Sequence, residues 1–309
     1  MASNDYQHAT HGTILRTPED RFSDLDGWSY EPCYTDTIVG YEGMRAHYID
    51  EGPKDADRVF FCLHGEPSWS YLFRFMIPEF LASGARVVAL DMFGFGRSDK
   101  PKDDQTYTFH FHRTMVMRFI ESLDLQNITL VCQDWGGIIG LTLPMDMTER
   151  FKRLIVMNTG LPTGQVPSEG FKAWRDFVKN NPEFNVGGLM KRSTPKMTDK
   201  EGAAYEAPFP NPDYMGGVRQ FPQLVMTDPD MDGVEEAKRA QAFWKNDWAG
   251  ESFMAIGMQD PVLGPPAMKF LASIIKNCPE PMEVAEAGHF VQEWGGPIAT
   301  AALKKFGDI

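Results

Sequence analysis

Short apolar segments alternate with segments of helical periodicity along most of this chain. The apolar segments are too short for helices and predict strands at Arg58–Leu63, Ala85–Leu90, Ile128–Cys132, Leu154–Met157, Phe253–Ile256 and Met282–Ala285. Apolar residues recur with helical period in the segments Tyr71–Leu81, Arg113–Leu123 and Ile138–Met147. Because strands that are apolar on both sides need helices on both faces of their sheet, the predicted fold class is α/β with a mainly parallel sheet.

Two further strands are predicted ahead of this pattern. Thr37–Val39 and Met44–Ile49 are short runs joined by the glycine-flanked turn Gly40–Gly43. Two such strands commonly pair with each other in antiparallel orientation at the edge of a sheet.

The alternation breaks between residues 161 and 233. Pro, Gly and Met are frequent there, and the amphipathic segments Gly170–Val178 and Lys200–Tyr205 follow one another without strands between them. We interpret this stretch as a helical insertion. Because ligands of open α/β sheets bind beyond the carboxyl ends of the strands, we expect residues 161–233 to form a cap over the site. Residues 1–160 and 234–309 would form the main domain.

Composition narrows the possible partners. The chain has 309 residues, 42% of them hydrophobic and 24% charged, which suits one large globular domain with an insertion. A net charge of −13 disfavours nucleic acid and anionic membranes as partners. No apolar run approaches the roughly 20 residues of a membrane helix. Because Met1–Arg21 is mostly polar and lacks a secretory pattern, we expect a cytoplasmic protein.

The cysteines do not indicate a metal or redox site. They have no CxxC spacing and no histidines at metal-ligand distance in the sequence, so neither zinc nor a disulfide framework is predicted. The four are Cys33, Cys62, Cys132 and Cys278.

The segment Ile128–Gly137 carries the strongest chemical signal. An apolar strand ends in polar residues and continues through two glycines into an apolar helix, which is the pattern of a nucleophile elbow. Asp134 occupies the nucleophile position, Gly136 the second small position, and Cys132 stands where the G-x-S-x-G motif has its first glycine. An aspartate is ionised at neutral pH and forms a hydrolysable ester at a saturated carbon, whereas attack on an acyl group would give a labile anhydride. The alternative is that Asp134 merely caps the following helix.

A base and its orienting acid are expected downstream of the elbow. His289 follows the predicted strand Met282–Ala285 and is the candidate base, while Asp260 follows the strand Phe253–Ile256 and is the candidate acid. His64 also follows a strand end. Asp91 precedes the elbow, and we interpret it as a turn or supporting residue.

The segment His64–Pro67 follows another strand. Gly65 would let the chain turn so that the Glu66 amide faces the site and forms an oxyanion hole with the Trp135 amide. An ordinary turn at the end of a strand is the alternative interpretation.

At this point the sequence resembles the haloalkane dehalogenases of the α/β-hydrolase fold, specifically the subfamily in which two tryptophans hold the halide. The matching segments are His64–Tyr71, Phe93–Pro101, Gln133–Gly137, Gly170–Trp174, Ala204–Pro210 and Gly288–Gln292. The resemblance implies the triad Asp134, His289 and Asp260, and it implies that Trp135 and Trp174 bind the halide.

We also expect Phe171, Ile138, Val262 and Leu263 to line the substrate pocket. The implied reaction converts a small halogenated aliphatic compound and water into a primary alcohol and a halide ion, through an alkyl ester on the aspartate. No metal or organic cofactor is implied, and a monomer is expected.

Two other functions remain open on the sequence. An epoxide hydrolase would use the same nucleophile but would protonate its leaving oxygen, usually with cap tyrosines, and Tyr205 and Tyr214 lie in the predicted cap. A protein that binds a small apolar ligand without turnover could share the scaffold. A tryptophan at position 174 that binds the halide would distinguish a dehalogenase from an epoxide hydrolase. The alternative interpretation is that Trp174 is an aromatic residue that packs the cap together with Phe171 and Phe177.

Overall fold

The computed structural model describes residues 5–309, which form eleven strands, ten α-helices and five short 3₁₀ helices. The strands β1 to β11 are Tyr6–His8, Gly12–Leu15, Cys33–Thr35, Ala46–Glu51, Val59–Leu63, Arg86–Leu90, Lys100–Pro101, Ile128–Gln133, Phe151–Met157, Glu251–Gly257 and Met282–Val284. The helices α1 to α10 are Ile77–Ala82, Phe109–Ser122, Trp135–Gly140, Glu169–Asn180, Val186–Ser193, Asp199–Glu206, Gly216–Leu224, Val234–Asn246, Pro265–Ile274 and Gly295–Phe306. The 3₁₀ helices are Glu19–Phe22, Ser70–Phe73, Asp104–Thr106, Pro212–Met215 and Val291–Trp294.

Eight strands form the central sheet, in the order β11-β10-β9-β8-β5-β6-β4-β3. The six strands from β11 to β6 run parallel, and β4 and β3 complete the sheet in antiparallel pairing. The central strands β5 and β8 are buried along their whole length because helices cover both faces. The predicted α/β fold with a mostly parallel sheet is therefore confirmed. Strands β1, β2 and β7 form a separate small sheet.

The predicted strand at Thr37–Val39 is wrong. The partner of β4 is β3, which lies closer to the N-terminus, with Thr35 opposite Ala46. The chain between them turns instead of pairing, since the Tyr41 amide donates to the Ile38 carbonyl at 2.8 Å and the Gly43 amide donates back to Asp36 at 2.7 Å.

Two predicted helices are shorter than their periodicity suggested. The helix predicted at Ile138–Met147 is α3, which ends at Gly140; Pro144 has no amide to continue it and disfavours helical backbone at the preceding residue. The segment Tyr71–Leu81 divides into a 3₁₀ turn and α1, with Pro78 in the first turn of α1.

The segment 161–233, here called the cap segment, contains α4 to α7 and no strand among its residues. Helices α4, α5 and α6 begin at side-chain caps: the Ser168 hydroxyl accepts from the Phe171 amide, Asn185 accepts from the Gly188 amide, and Thr198 and Glu201 form a capping box. None of the helices formed by residues 5–309 is long and apolar enough to cross a membrane.

A buried ionic cluster joins the cap segment to the main domain. Arg74 donates to both carboxylate oxygens of Glu293, at 2.8 and 2.6 Å, and to Glu201 of α6 at 2.7 Å. The Tyr205 hydroxyl, also on α6, donates to Glu293 at 2.6 Å. We call these four residues the cap latch. The latch contacts α6 through Glu201 and Tyr205, and removing one charge of its buried Arg74–Glu293 pair would leave the other uncompensated.

Candidate active site

Asp134 lies between β8 and α3 in a backbone conformation that side chains rarely adopt, with φ 49° and ψ −126°. Its side chain makes no hydrogen bond that caps α3. Instead its Oδ1 accepts a hydrogen bond of 2.8 Å from the Glu66 amide. Such strain is retained where surrounding contacts enforce it, frequently at active sites. The geometry is that of a nucleophile elbow and does not support the helix-cap alternative.

Two glycines permit the close approach of chains around the elbow. A Cβ atom at Gly65 would lie 2.4 Å from the Cβ and Oδ1 atoms of Asp134. A Cβ atom at Gly136 would lie 1.9 Å from the carbonyl oxygen of Leu63 on β5. Only glycine fits at these points, so β5 and its loop can press directly against the elbow.

His289 and Asp260 complete a line of contacts that begins at Asp134. The Nε2 atom of His289 lies 3.6 Å from Asp134 Oδ2, and its Nδ1 atom lies 2.8 Å from Asp260 Oδ2. The amides of Val262 and Leu263 donate to the other oxygen of Asp260, at 2.9 and 3.1 Å. Asp260 therefore has a fixed orientation and can hold the imidazole by its Nδ1–H.

The charges of the three groups affect one another. Burial alone lowers the pKa of His289, but the charge and hydrogen bond of Asp260 and the charge of Asp134 raise it to about 9. Burial raises the pKa of Asp134, and His289 together with the Trp135 and Glu66 amides opposes that rise. For Asp260, burial is outweighed by the charge and hydrogen bond of His289, so its pKa is well below the usual range.

The peptide between Gly65 and Glu66 presents its N–H to the nucleophile and is held from its carbonyl side. That carbonyl accepts from His64 Nδ1 at 2.8 Å, from the Ser68 hydroxyl at 2.9 Å and from the Ser68 amide at 3.1 Å. His64 Nε2 accepts from the Met92 amide at 3.0 Å, which places the ring proton on Nδ1. Both His64 nitrogens are thus occupied, and His64 supports the loop rather than competing with His289 as the base.

Asp91, the other carboxylate considered in the sequence, lies outside the triad. It is fully buried, and its Oδ2 lies 2.6 Å from His47 Nδ1 and accepts from the Arg97 amide at 2.9 Å. Its Oδ1 accepts from the Ser70 amide at 2.8 Å. Asp91 therefore ties β6 to the loop that follows β5.

A cavity of about 860 Å³ opens in front of Asp134. Two of its lining residues, Val166 and Phe270, are 80% and 61% exposed and so mark an opening to solvent. The cavity brings together every residue that the sequence assigned to the site: Glu66, Asp134, Trp135, Ile138, Phe171, Trp174, Asp260, Val262, Leu263 and His289.

The two tryptophans that line the cavity belong to different parts of the chain. Trp135 follows Asp134 at the start of α3, is buried, and its ring lies 4.6 Å from that of Phe221. Trp174 lies on α4 of the cap segment and packs on Phe177 and Phe184, with ring centroids 5.7 and 5.9 Å away. Trp174 therefore packs with other aromatic residues and also lines the cavity.

The cap tyrosines do not face this cavity. The Tyr205 hydroxyl belongs to the cap latch, and neither Tyr205 nor Tyr214 is among the described residues that line the cavity. These two phenols are therefore not placed to protonate a leaving oxygen beside Asp134.

Two polar residues around the triad were missed in the sequence. Asn158, just after β9, donates to Asp260 Oδ2 at 3.0 Å and to the Gly257 carbonyl at 3.1 Å. The Nε2 atom of Gln133, the last residue of β8, lies 3.0 Å from His289 Nε2 and 3.1 Å from the His289 carbonyl oxygen. Their place at the carboxyl ends of parallel strands was the signal that could have indicated them.

Comparisons with known proteins agree with this geometry. Residues 58–296 match the family model described as alpha/beta hydrolase fold. A haloalkane dehalogenase of Psychrobacter cryohalolentis is 43% identical over 299 residues, covering 95% of this chain and 97% of the relative. One from Mycolicibacterium paratuberculosis is 39% identical over 291 residues, with 92% and 95% covered. The solved tetrameric haloalkane dehalogenase DpaA of Paraglaciecola agarilytica is 54% identical, with a TM-score of 0.94 over 96% of this chain and 99% of that chain.

Proposed function

The chain belongs to the haloalkane dehalogenases, which hydrolyse carbon–halogen bonds, and we propose that Asp134, His289 and Asp260 perform this reaction in it. The observation that carries the proposal is the line of contacts from Asp134 through His289 to Asp260 at the edge of one cavity. An aspartate at the elbow suits attack on a saturated carbon, and the histidine supplies the base that the second step needs.

In the first step an Asp134 oxygen attacks the carbon that bears the halogen. The new C–O bond forms as the carbon–halogen bond breaks, and the halide leaves with the bonding electron pair. We propose that the indole N–H groups of Trp135 and Trp174 stabilise the departing halide. Neutral donors in a largely apolar cavity can stabilise a charge that develops during the reaction without holding the product ion as tightly as a cation would.

In the second step His289 takes a proton from water, and the resulting hydroxide adds to the carbonyl carbon of the Asp134 ester. The amides of Glu66 and Trp135 stabilise the oxyanion that forms. Its collapse breaks the C–O bond to the alkoxide, which takes the proton held by His289 and leaves as the alcohol. The carboxylic acid left at Asp134 loses its proton to solvent and is again a carboxylate. Asp260 holds the Nδ1–H of His289, so that Nε2 faces the water. Each step uses side chains and amides of this chain alone.

The cap segment would complete the site over the sheet. We propose that residues 161–233 act as a cap domain on a main domain of residues 1–160 and 234–309. Phe171 of the cap segment, together with Ile138, would form the apolar surface around the substrate carbon chain. Val262 and Leu263 of the main domain would extend it. Because such a surface excludes water, it favours small halogenated aliphatic compounds over polar ones.

The expected monomer is not confirmed, because the solved DpaA relative is tetrameric. Sedimentation velocity at several protein concentrations would determine the assembly state. The cytoplasmic location stays a prediction.

Halide release tests the proposed function. The purified protein is incubated with 1-bromobutane or 1,2-dibromoethane, and with styrene oxide as the epoxide control. We expect bromide to appear together with an equal amount of alcohol, and the Asp134→Asn variant to release none. Turnover of the epoxide alone would contradict the assigned halide site, and bromide release by a folded Asp134→Asn protein would contradict the assigned nucleophile.

A further inference from the structure

The amide of Gln133 lies against the nitrogen atom of His289 that must accept a proton. Gln133 is fully buried and immediately precedes Asp134 in the chain. Its Nε2 atom is 3.0 Å from His289 Nε2 and 3.1 Å from the carbonyl oxygen of His289. One NH₂ group therefore faces two atoms of the same histidine.

The carbonyl of His289 fixes which way round this amide lies. A carbonyl oxygen can only accept a hydrogen bond, so it requires the NH₂ group of Gln133 and would repel the amide oxygen. The oxygen, Oε1, is buried without a hydrogen-bond partner within residues 5–309. The side-chain hydrogen bonds of Gln133 within these residues therefore all run from its NH₂ group to His289, whereas its amide oxygen carries the free-energy cost of an unsatisfied buried acceptor.

We propose that Gln133 is a positioning residue that keeps the Nε2 atom of His289 unprotonated for the hydrolysis step, by holding an amide N–H against it. The inference rests on the proposed role of His289 as the base. An unprotonated Nε2 can accept from this N–H, whereas a protonated one would bring two N–H groups face to face. The bond to the His289 carbonyl does not depend on the ring proton, so Gln133 stays beside the ring when a water molecule replaces its N–H at the single lone pair of Nε2.

The effect that we propose for Gln133 on the protonation of His289 is opposite to that of the charged groups around the imidazole. Asp260, after β10, and Asp134, after β8, both face His289, and both favour the imidazolium form. Glu66, after β5, faces Asp134; burial and the charge of Asp134 raise the pKa of Glu66 well above its usual range, which disfavours its charged form. Arg192 of α5 also lines the cavity but is not among the groups that shift the pKa of His289.

The test replaces Gln133 by Met, which is similar in length and carries no N–H. The pKa of His289 is measured by ¹⁵N NMR of histidine-labelled protein, and its signal is identified by its loss in His289→Gln. Because an N–H hydrogen bond contributes about as much free energy as one pH unit, we expect the pKa to rise by about one unit. The pH midpoint of alcohol formation should rise with it, while single-turnover bromide release changes less than about twofold.

Gln292→Met is the matched control. Gln292 is also fully buried, lies three residues from His289 in the chain, and has no hydrogen-bond partner for its amide within residues 5–309. The Gln292→Met variant should leave the pKa of His289 and the pH midpoint of alcohol formation unchanged. Gln133→Glu is the second variant, which keeps the size of the side chain and removes both N–H donors. It should raise the pKa at least as much as Gln133→Met does.

An unchanged or lowered pKa of His289 in either folded Gln133 variant overturns the proposal, and so does an equal shift in Gln292→Met. The failure of the proposed function would look different. If His289→Gln formed alcohol at the wild-type rate, His289 would not be the base, even where the NMR titration still showed the effect of Gln133.

Discussion

The wall of the cavity formed by the sheet and the wall formed by the cap segment are held by different kinds of contact. On the sheet side, Asp134 and Asp260 follow parallel strands, and each accepts backbone hydrogen bonds of 2.8 to 3.1 Å. On the cap side, Trp174 packs on Phe177 and Phe184 through ring contacts. Hydrogen bonds restrict the position of an atom more than apolar packing does, because they depend on distance and angle. Apolar packing tolerates substitution by side chains of similar volume.

This difference suggests a division of labour. The sheet wall carries groups that must meet within hydrogen-bond distance for bond making, and a small displacement there would be costly. In the proposed mechanism the cap wall shapes the space, and Trp174 on this wall stabilises the departing halide. Changes to the sheet wall should therefore affect whether the reaction occurs, and changes to the cap wall should affect how fast it occurs and with which substrates.

The largest effect is expected from His289→Gln on the sheet wall. Without a base, the Asp134 ester forms but is not hydrolysed, so one bromide is released for each protein molecule and turnover falls on the order of 10⁴-fold. Mass spectrometry after incubation with 1-bromobutane should show the added butyl group. His110→Gln is the control, since His110 is half-exposed on α2 and does not line the cavity. Continuous alcohol formation by His289→Gln would contradict the two-step mechanism.

The second effect concerns the cap latch, which lies outside the cavity lining and joins the cap segment to the rest of the described chain. Arg74→Met leaves the Glu293 carboxylate buried without its partner, so we expect the free energy of unfolding to fall by about 3–5 kcal/mol in urea denaturation. The double variant Arg74→Met with Glu293→Met removes both charges of that pair and should recover much of the loss. A loss below about 1 kcal/mol in the single variant would mean that the latch behaves like a surface ion pair.

The third effect separates the two possible roles of Trp174 on the cap wall. Trp174→Phe keeps an aromatic ring but removes the indole N–H, and a hydrogen bond to an anion contributes about 1.5–3 kcal/mol. We expect kcat/KM for 1-bromobutane to fall roughly 10- to 100-fold. Phe177→Leu is the matched control, because Phe177 packs on Trp174 and carries no N–H. Equal losses in both variants would assign Trp174 to packing alone.

The same contrast explains what could be predicted from the sequence. Asp134, Asp260 and His289 were assigned because each follows a strand, and the chain order of strands defines their edge of the sheet. The halide-binding role of Trp174 was predicted only from the resemblance. Its helical spacing with Phe171 and Phe177 is equally typical of residues that pack the cap.

Other features depend on contacts that are distant in the chain. Gln133 was missed because its role depends on a contact with His289, which is 156 residues away in the chain. The periodicity of a strand does not indicate such a contact. The strand predicted at Thr37–Val39 was wrong because the register with β4 selects Cys33–Thr35 instead. Local pattern thus indicated which residues follow the strands at one edge of the sheet, whereas pairing partners and side-chain contacts required the fold.

The smallest effect uses pH to separate the two steps on the sheet wall. The pKa of His289 is raised to about 9 partly by the charge of Asp134, and alkylation removes that charge. In the ester the pKa of His289 should therefore lie below 9. Hydrolysis needs the neutral imidazole, so its rate should rise about tenfold for each pH unit below that pKa and level off above it.

Bromide release depends instead on the ionised Asp134 carboxylate, and protonation of Asp134 slows it only on the acid side. Rapid-quench measurements of bromide and of alcohol should therefore give two different pH profiles, with alcohol formation limiting at low pH and the ester accumulating there. If both products followed one profile, a single group would control both steps. The ester would then not accumulate at low pH, and the assignment of His289 to the second step alone would fail.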